Sequence, residues 1–404
     1  MSTRPVTLYA RLIQILLQLL VYFAGLFAYR YFFHPLAGFP GPKLAPFSNK
    51  VIYGFGIKEV PSFTKDPEFS TPEVDGTVNI IVEIDKREYA RMRRMLSHAF
   101  INTNLYTHKY VITRRTDEML NCMYGLQEEE GKKGINFVKW SYYVTYDIMA
   151  DSAYHLQERC ALAIYGMRLA MKTERKDFVY HILRDKSISC PADSEIALHF
   201  QAMMLAGSIT IATFLPGTLY YLCKEPAKRT RFIKEIRDRF TTAAEINARA
   251  LVKDCPYLNA VCKESLRIYP PAGAAHLTRI VPDGGCDIAG YWMPGGVSPF
   301  LTVASGLIKV RYLPPFFQQT RVSVYPWSIL RDEANYHAPT KFIPERWLRT
   351  EPEGRQGDKL ETSLPFSSGP RGCLGKNLAY LEMRIILTRF FWRYDIDWFD
   401  ASID

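Results

Sequence analysis

One stretch narrows the folds open to this chain more than any other: Pro365-Phe366-Ser367-Ser368-Gly369-Pro370-Arg371-Gly372-Cys373-Leu374-Gly375, running directly into Lys376-Asn377-Leu378-Ala379-Tyr380-Leu381-Glu382-Met383-Arg384. Glycine and proline keep the first part a loop, and the second has the apolar spacing of a helix. The chain therefore delivers one cysteine to a helix N-terminus, where free backbone N–H groups and the helix dipole favour an anion. A thiolate meets that description. The competing reading is a buried structural cysteine in a glycine-rich turn, since free cysteines are among the most buried residue types.

Three features suit the stretch to a heme iron. The cysteine is single, Gly369 and Gly375 let a flat macrocycle approach the backbone, and Arg371 can pair with a propionate. Phe366 would shield the sulfur from water. The spacing Phe366-x-x-Gly369-x-Arg371-x-Cys373-x-Gly375 resembles the heme-binding loop of the cytochrome P-450 superfamily at every fixed position. The resemblance implies a mainly α fold with small β regions. It also implies heme b with Cys373 as the axial thiolate on iron, and Phe366, Arg371 and Gly375 among the cofactor-binding residues.

With 404 residues, 48% hydrophobic and 14% aromatic, the chain can bury a sizeable core. The formal charge of +10 fits nucleic acid, an anionic membrane or an acidic partner. No zinc spacing, phosphate loop or dense Lys/Arg run supports nucleic acid, so membrane plus protein partner is preferred. Eight cysteines without CxxC pairs or a framework spacing read as reduced and intracellular-facing.

From Leu12 to Tyr29 the sequence is uncharged and apolar, between Arg11 and Arg30, which is about the least that spans a bilayer core. A cleaved signal peptide and a buried core helix are the alternatives. The absence of a small-x-small cleavage site and the aromatic belt Tyr29, Tyr31, Phe32, Phe33 favour an uncleaved anchor. Arg4 and Arg11 on one side against Arg30, Lys43 and Lys50 on the other barely decide the orientation. The expected organisation is a tail (1–11), an anchor (12–29), a proline-rich hinge (30–45, with Phe39-Pro40-Gly41-Pro42-Lys43) and a catalytic domain (46–404). The hinge resembles that of microsomal cytochromes P-450.

Arg87 to Phe100 reads as a basic helix with Met92, Met95, Leu96 and Phe100 on its apolar side. It resembles the family's C helix, which implies a propionate contact for Arg93. Tyr89 stands where many relatives carry Trp or His. Residues 137–157 have helical spacing, and a core helix explains them. Beyond them, residues 158–172 run almost directly into the segment before the central helix, so the F and G helices that roof the family's substrate pocket are expected to be largely missing.

The central helix is expected from Glu195 to Leu222, capped by Asp193 or Ser194. His199, Gln201, Ser208, Thr210 and Thr213 make it a poor membrane span. Ala206-Gly207-Ser208-Ile209-Thr210 resembles the oxygen-activation motif, where a small residue and glycine make room for dioxygen and an acid and threonine relay protons. Thr210 is the implied catalytic residue. Ile209 occupies the acid position and carries no proton. Pro216 costs about 3 kcal/mol or more inside a helix.

Leu258, Val261, Ser265 and Leu266 mark a helix ending at Pro270-Pro271. Glu264 and Arg267 share one face, a pair worth only about 0.2–0.5 kcal/mol if exposed. Glu264-Ser265-Leu266-Arg267 also resembles the family's ExxR, and Pro344-Glu345-Arg346-Trp347 its partner, implying a buried Glu264–Arg267–Arg346 network behind the heme loop. Arg279, and more weakly His276, lie where relatives contact the second propionate. Residues 290–296 and 322–327 read as strands. Between them, residues 297–321 carry no motif, and the expectation is a retained intron or a gene-model error. The family's last β region is expected to be absent.

The phrase Phe366 to Arg384 is similar to fungal microsomal members of secondary metabolism, the trichothecene hydroxylase type included. Such a resemblance implies hydroxylation or epoxidation of a lipophilic small molecule at the endoplasmic reticulum membrane. The enzyme would be single-pass with a cytosolic catalytic domain, and electrons would come from an NADPH–cytochrome P-450 reductase. Ile209 also leaves open a heme-thiolate isomerase or a peroxide-using enzyme. The irregularities leave open a catalytically impaired remnant.

Overall fold

The computed structural model describes residues 14–15, 17–22, 24–25, 28, 64–65, 77–100, 102–130, 134–153, 192–273, 279–288, 291–293, 295, 321–322, 326–352 and 357–397. The hinge, His276, the region around residue 160 and nearly all of 297–321 lie outside them. Within the stretch expected to be an anchor the described residues are helical, with Ile15, Leu17, Leu20 and Val21 exposed.

The chain divides into two compact units. The larger, Ser70–Ala275 with Tyr325–Asp404, is helical. Among the described residues its α-helices are α1 (Lys86–Ser97), α2 (Asn102–Glu130), α3 (Phe137–Ala153), α4 (Asp193–Lys224), α5 (Pro226–Arg239), α6 (Ala248–Lys253), α7 (Pro256–Ile268), the single turn α8 (Pro326–Ile329) and α9 (Lys376–Arg393). The smaller unit, Met1–Phe69 with His276–Val324, holds an antiparallel sheet of β1 (Thr64–Lys65), β2 (Arg279–Ile280) and β5 (Arg321–Val322) in the order β1-β2-β5. It also holds a hairpin of β3 (Cys286–Ile288) and β4 (Tyr291–Met293), with Asp287 opposite Trp292. The mainly α class with little strand is therefore as expected.

In the larger unit α3 and α4 make the most extensive helix contact, and α9 packs on both α2 and α4. Among the described residues, α4 is the helix long and apolar enough to cross a membrane. Packing gives it another use. Phe200, Ile211, Phe214, Leu215 and Leu222 are buried in one cluster with Leu251, Leu258 and Phe391, and burying a side chain of that size contributes about 1.5–3 kcal/mol. Arg91 of α1 donates to Glu195 of α4 at 2.6 Å. His199 Nδ1 accepts the Ile80 N–H at 3.2 Å, so the start of α4 is pinned on two sides.

Several local expectations need correction. Asp193 and Ser194 do not cap α4: Ala192 holds the N-cap position without a side-chain bond. Asp193 and Glu195 instead lie in the first turn, where their charge suits the dipole. Pro216, by contrast, lies inside the helix as the expected span to Leu222 requires, and the helix runs on to Lys224; its buried neighbours Phe214, Leu215, Thr218 and Leu219 offset the lost hydrogen bond. Pro326 and Trp327 open the turn α8 rather than extend a strand, and β5 ends at Val322. Proline lacks the N–H that a strand ladder needs and is favoured at the first position of a helix.

Candidate functional site

Local bonds shape the cysteine loop. Gly369 adopts a left-handed φ of 71°, which costs any other L-residue about 1–2 kcal/mol. Its carbonyl accepts the Gly372 N–H at 3.0 Å, and Phe366 O accepts the Cys373 N–H at 2.8 Å, so the chain turns back on itself ahead of α9. The half-buried Phe366 ring packs against Tyr380 of α9 at 5.1 Å between centroids. Cys373 thus stands just before the first turn of α9, and the N–H groups of Gly375 and Lys376 donate to its sulfur.

Exposure separates Cys373 from the chain's structural cysteines. Cys255 and Cys262 are buried, and desolvation pushes their thiols up to about 12. Cys373, unlike those two, is an exposed residue. Its sulfur nevertheless lies in a recess where desolvation is the largest influence and raises its pKa. The two N–H donors and the charges of Arg93 and Lys376 pull the other way without prevailing. A bound cation would complete the ionisation, because a coordinating thiol is deprotonated outright.

Two arginines close on the loop. Arg93 of α1 donates through Nη1 to Gly372 O at 2.8 Å and to the Tyr89 hydroxyl at 3.0 Å. The Arg371 guanidinium lies 4.4 Å above the Tyr89 ring. A methyl group built on Gly375 would meet nothing nearer than Phe100 at 3.9 Å, so protein packing leaves the space beside this glycine open. An exposed cysteine whose sulfur takes two N–H donors, two arginines close to its loop and an open glycine together fit a flat, anionic metal cofactor.

Glu264, Arg267 and Arg346 meet at the C-terminal end of α7, all within 1% of complete burial. Arg267 forks onto Glu264 with bonds of 2.9 and 2.8 Å. Arg346 Nε, Trp347 Nε1 and the Ile343 N–H donate to the same carboxylate at 3.1, 2.9 and 2.9 Å. Arg267 also donates to the carbonyls of Leu330, Pro339 and Lys341. Arg346 continues to Asp358. Burial alone would raise the Asp358 pKa, but the His337 N–H and ring, with the Arg346 charge, outweigh it and lower the pKa.

On α4, Thr210 Oγ1 donates to Ala206 O at 2.7 Å. Ile209 is 43% exposed, beside exposed Leu205. Gly207 serves another purpose than the resemblance implies: a methyl group there would strike Met149 Sδ at 2.5 Å, so this glycine lets α3 approach α4. Arg279 sits in β2 of the smaller unit, opposite Lys65 and Val322. Sequence reasoning passed over Glu382 of α9, which is buried with Oε2 unpartnered among the described residues and whose pKa is pushed up to about 8 by desolvation. Its place on the loop's own helix was the available signal.

The cytochrome P-450 family model matches residues 156–304 and 316–401. The chain belongs to the cytochrome P-450 superfamily. It is similar to three proteins named cytochrome P-450 monooxygenases. With astJ of Aspergillus oryzae it shares 29% identity, over 93% of this chain and 89% of the relative. With aba2 of Botryotinia fuckeliana it shares 29%, over 91% and 84%. With efuB of Hormonema carpetanum it shares 30%, over 88% and 76%. Its enzyme class is accordingly that of a cytochrome P-450 monooxygenase, an oxidoreductase, and membership implies a heme-thiolate iron cofactor, a redox partner and a small-molecule substrate.

Proposed function

We propose that this cytochrome P-450 holds heme b through the Cys373 sulfur and hydroxylates or epoxidises a lipophilic secondary metabolite. Electrons come from an NADPH–cytochrome P-450 reductase. The observation that carries this reading is the exposed Cys373 at the start of α9, with Gly375 and Lys376 N–H groups on its sulfur. Arg93 of α1 and Arg371 of the loop supply positive charge for propionates, and Phe366 and Gly375 border the macrocycle. The bound iron supplies oxygen-activating redox chemistry that no side chain can. The buried Glu264–Arg267–Arg346 network braces the heme-binding loop.

Leu205 and Ile209 offer an apolar surface on α4 to a lipophilic substrate. Thr210 spends its proton on Ala206 O, so its oxygen is free to accept a proton bond and must leave that carbonyl to donate one. Ile209 neither holds nor moves a proton. Delivery there passes through water or a substrate hydroxyl. Ile209 favours a second reading, a heme-thiolate isomerase or peroxide-using enzyme that needs no relay. Turnover with peroxide but not with NADPH and reductase would select it. Under the monooxygenase reading, Ile209→Asp raises product formed per electron consumed.

The exposed apolar helical residues near the N-terminus support a single-pass anchor in the endoplasmic reticulum membrane, with the catalytic domain in the cytosol. Two observations support an altered chain between standard family elements. The family match breaks after residue 304 and resumes at 316, inside the proposed insertion 297–321. The alignment with astJ spans 476 positions, more than the 404 residues here, so that relative carries segments with no counterpart in this chain. The proposed F–G shortening accounts for these. A spliced transcript lacking 297–321 is the expected result of sequencing the message.

The deciding experiment is the carbon monoxide difference spectrum of the reduced protein. A strongly red-shifted Soret band, lost in Cys373→Ser, is expected. A band at the ordinary heme position, or none, would favour an inactive remnant.

A further inference from the structure

We propose that Tyr89 is the positioning residue for the cysteine loop, holding Arg93 through its hydroxyl and Arg371 through its ring, so that both cations are set before the cofactor arrives. The inference rests on the proposed heme-binding role of the loop.

Tyr89 is 8% exposed and stands four residues before Arg93 on α1, hence on the same helix face. Its two chemical parts do different jobs. The hydroxyl oxygen accepts from Arg93 Nη1, which also donates to Gly372 O, the carbonyl next to Cys373. One nitrogen shared between two acceptors fixes the guanidinium direction that a long arginine would otherwise leave to several rotamers. The ring carries Arg371 at 4.4 Å from its centroid, within the range where the negative face of an aromatic attracts a cation. The hydroxyl also lies 3.5 Å from Pro370 O, at the limit of a hydrogen bond. One side chain therefore touches residues 370 and 371 directly and residue 372 through Arg93. A tyrosine serving only as core filling needs neither contact.

The two parts separate by substitution. Tyr89→Phe keeps the ring and removes the acceptor, Tyr89→Leu removes both, and Arg93→Gln removes the cation that the hydroxyl holds. The measurement is the rate of hemin release from the full-length holoprotein to an excess of an apo-globin trap, with the unfolding temperature of each variant recorded alongside. Tyr89→Phe is expected to speed release about tenfold in the otherwise native chain, the scale of one hydrogen bond to a charged group. In an Arg93→Gln background the same change is expected to alter release by less than about twofold, because coupled residues are not additive. Tyr89→Leu should exceed Tyr89→Phe by a further factor of about three, the share of the ring contact. A core-filling role would move unfolding temperature and release together and give independent effects in the double variant. Equal effects of Tyr89→Phe in both backgrounds, or native release from Tyr89→Leu, would overturn the inference while leaving the heme reading intact. A native chain that retains no hemin would overturn that reading, and the inference with it.

Discussion

The Glu264 brace and the Cys373 loop are both gripped by arginines, and their surroundings are opposites. Around Glu264 both oxygens are used, by Arg267, Arg346, Trp347 and the Ile343 N–H, and nothing is left for solvent. Around Cys373 the arginines reach a carbonyl and a ring, and neither takes up the sulfur of this exposed residue. A fully satisfied buried network fixes one conformation of the backbone it touches. An open valence beside it is what a ligand can use. The brace stabilises the fold; the loop keeps its capacity for a partner from outside.

The largest expected effect tests the closed side. Glu264→Ala leaves two buried guanidiniums without their carboxylate and should cost about 3–5 kcal/mol in denaturant unfolding. A loss no greater than that of a surface pair would break the comparison. Next comes Glu382, a buried carboxyl that lacks such partners. Its folded pKa of about 8 lies above the ordinary glutamate value of 4.5, so the folded state holds the proton that the unfolded state releases. Stability from this group is full below pH about 4.5 and declines as pH rises toward about 8. Glu382→Gln should therefore gain on the order of 3 kcal/mol over the native chain near pH 8 and almost nothing near pH 4. Unfolding curves at the two pH values check it, and a gain independent of pH would contradict the assignment.

Smaller effects are expected on the open side. Gly369→Ala forces an alanine into a left-handed φ and should cost about 1–2 kcal/mol, read as a lower unfolding midpoint. The smallest is Cys373→Ser: at an exposed residue, stability of the cofactor-free protein should stay within about 0.5 kcal/mol of native while the red-shifted carbon monoxide band disappears. A large stability loss there would return Cys373 to the role of Cys255 and Cys262.

Much of this was readable along the chain. The loop was legible because its chemistry is local: Gly369 supplies the turn, and two residues separate Cys373 from α9. The pairing of Glu264 with Arg267 follows from helical spacing. By contrast, α2 and α5 carry mixed polar sequences that advertise no motif, although Pro226 at the first turn of α5 was a start signal. The α4 motif misled at Gly207, whose small size serves the approach of Met149.

Sequence by itself determined which residue types could meet a metal, where the helix behind them begins, and that Ile209 cannot relay a proton. Those properties depend on side-chain chemistry and on neighbours a few positions away. Tertiary structure alone decided that Arg93 would grip a carbonyl 279 positions downstream, that Tyr89 would lie between two cations, and that Glu264 would be closed in while Glu382 was left without a full set of partners. Which segments pack together sets desolvation and hydrogen-bond partners, and no spacing rule along one segment carries that information.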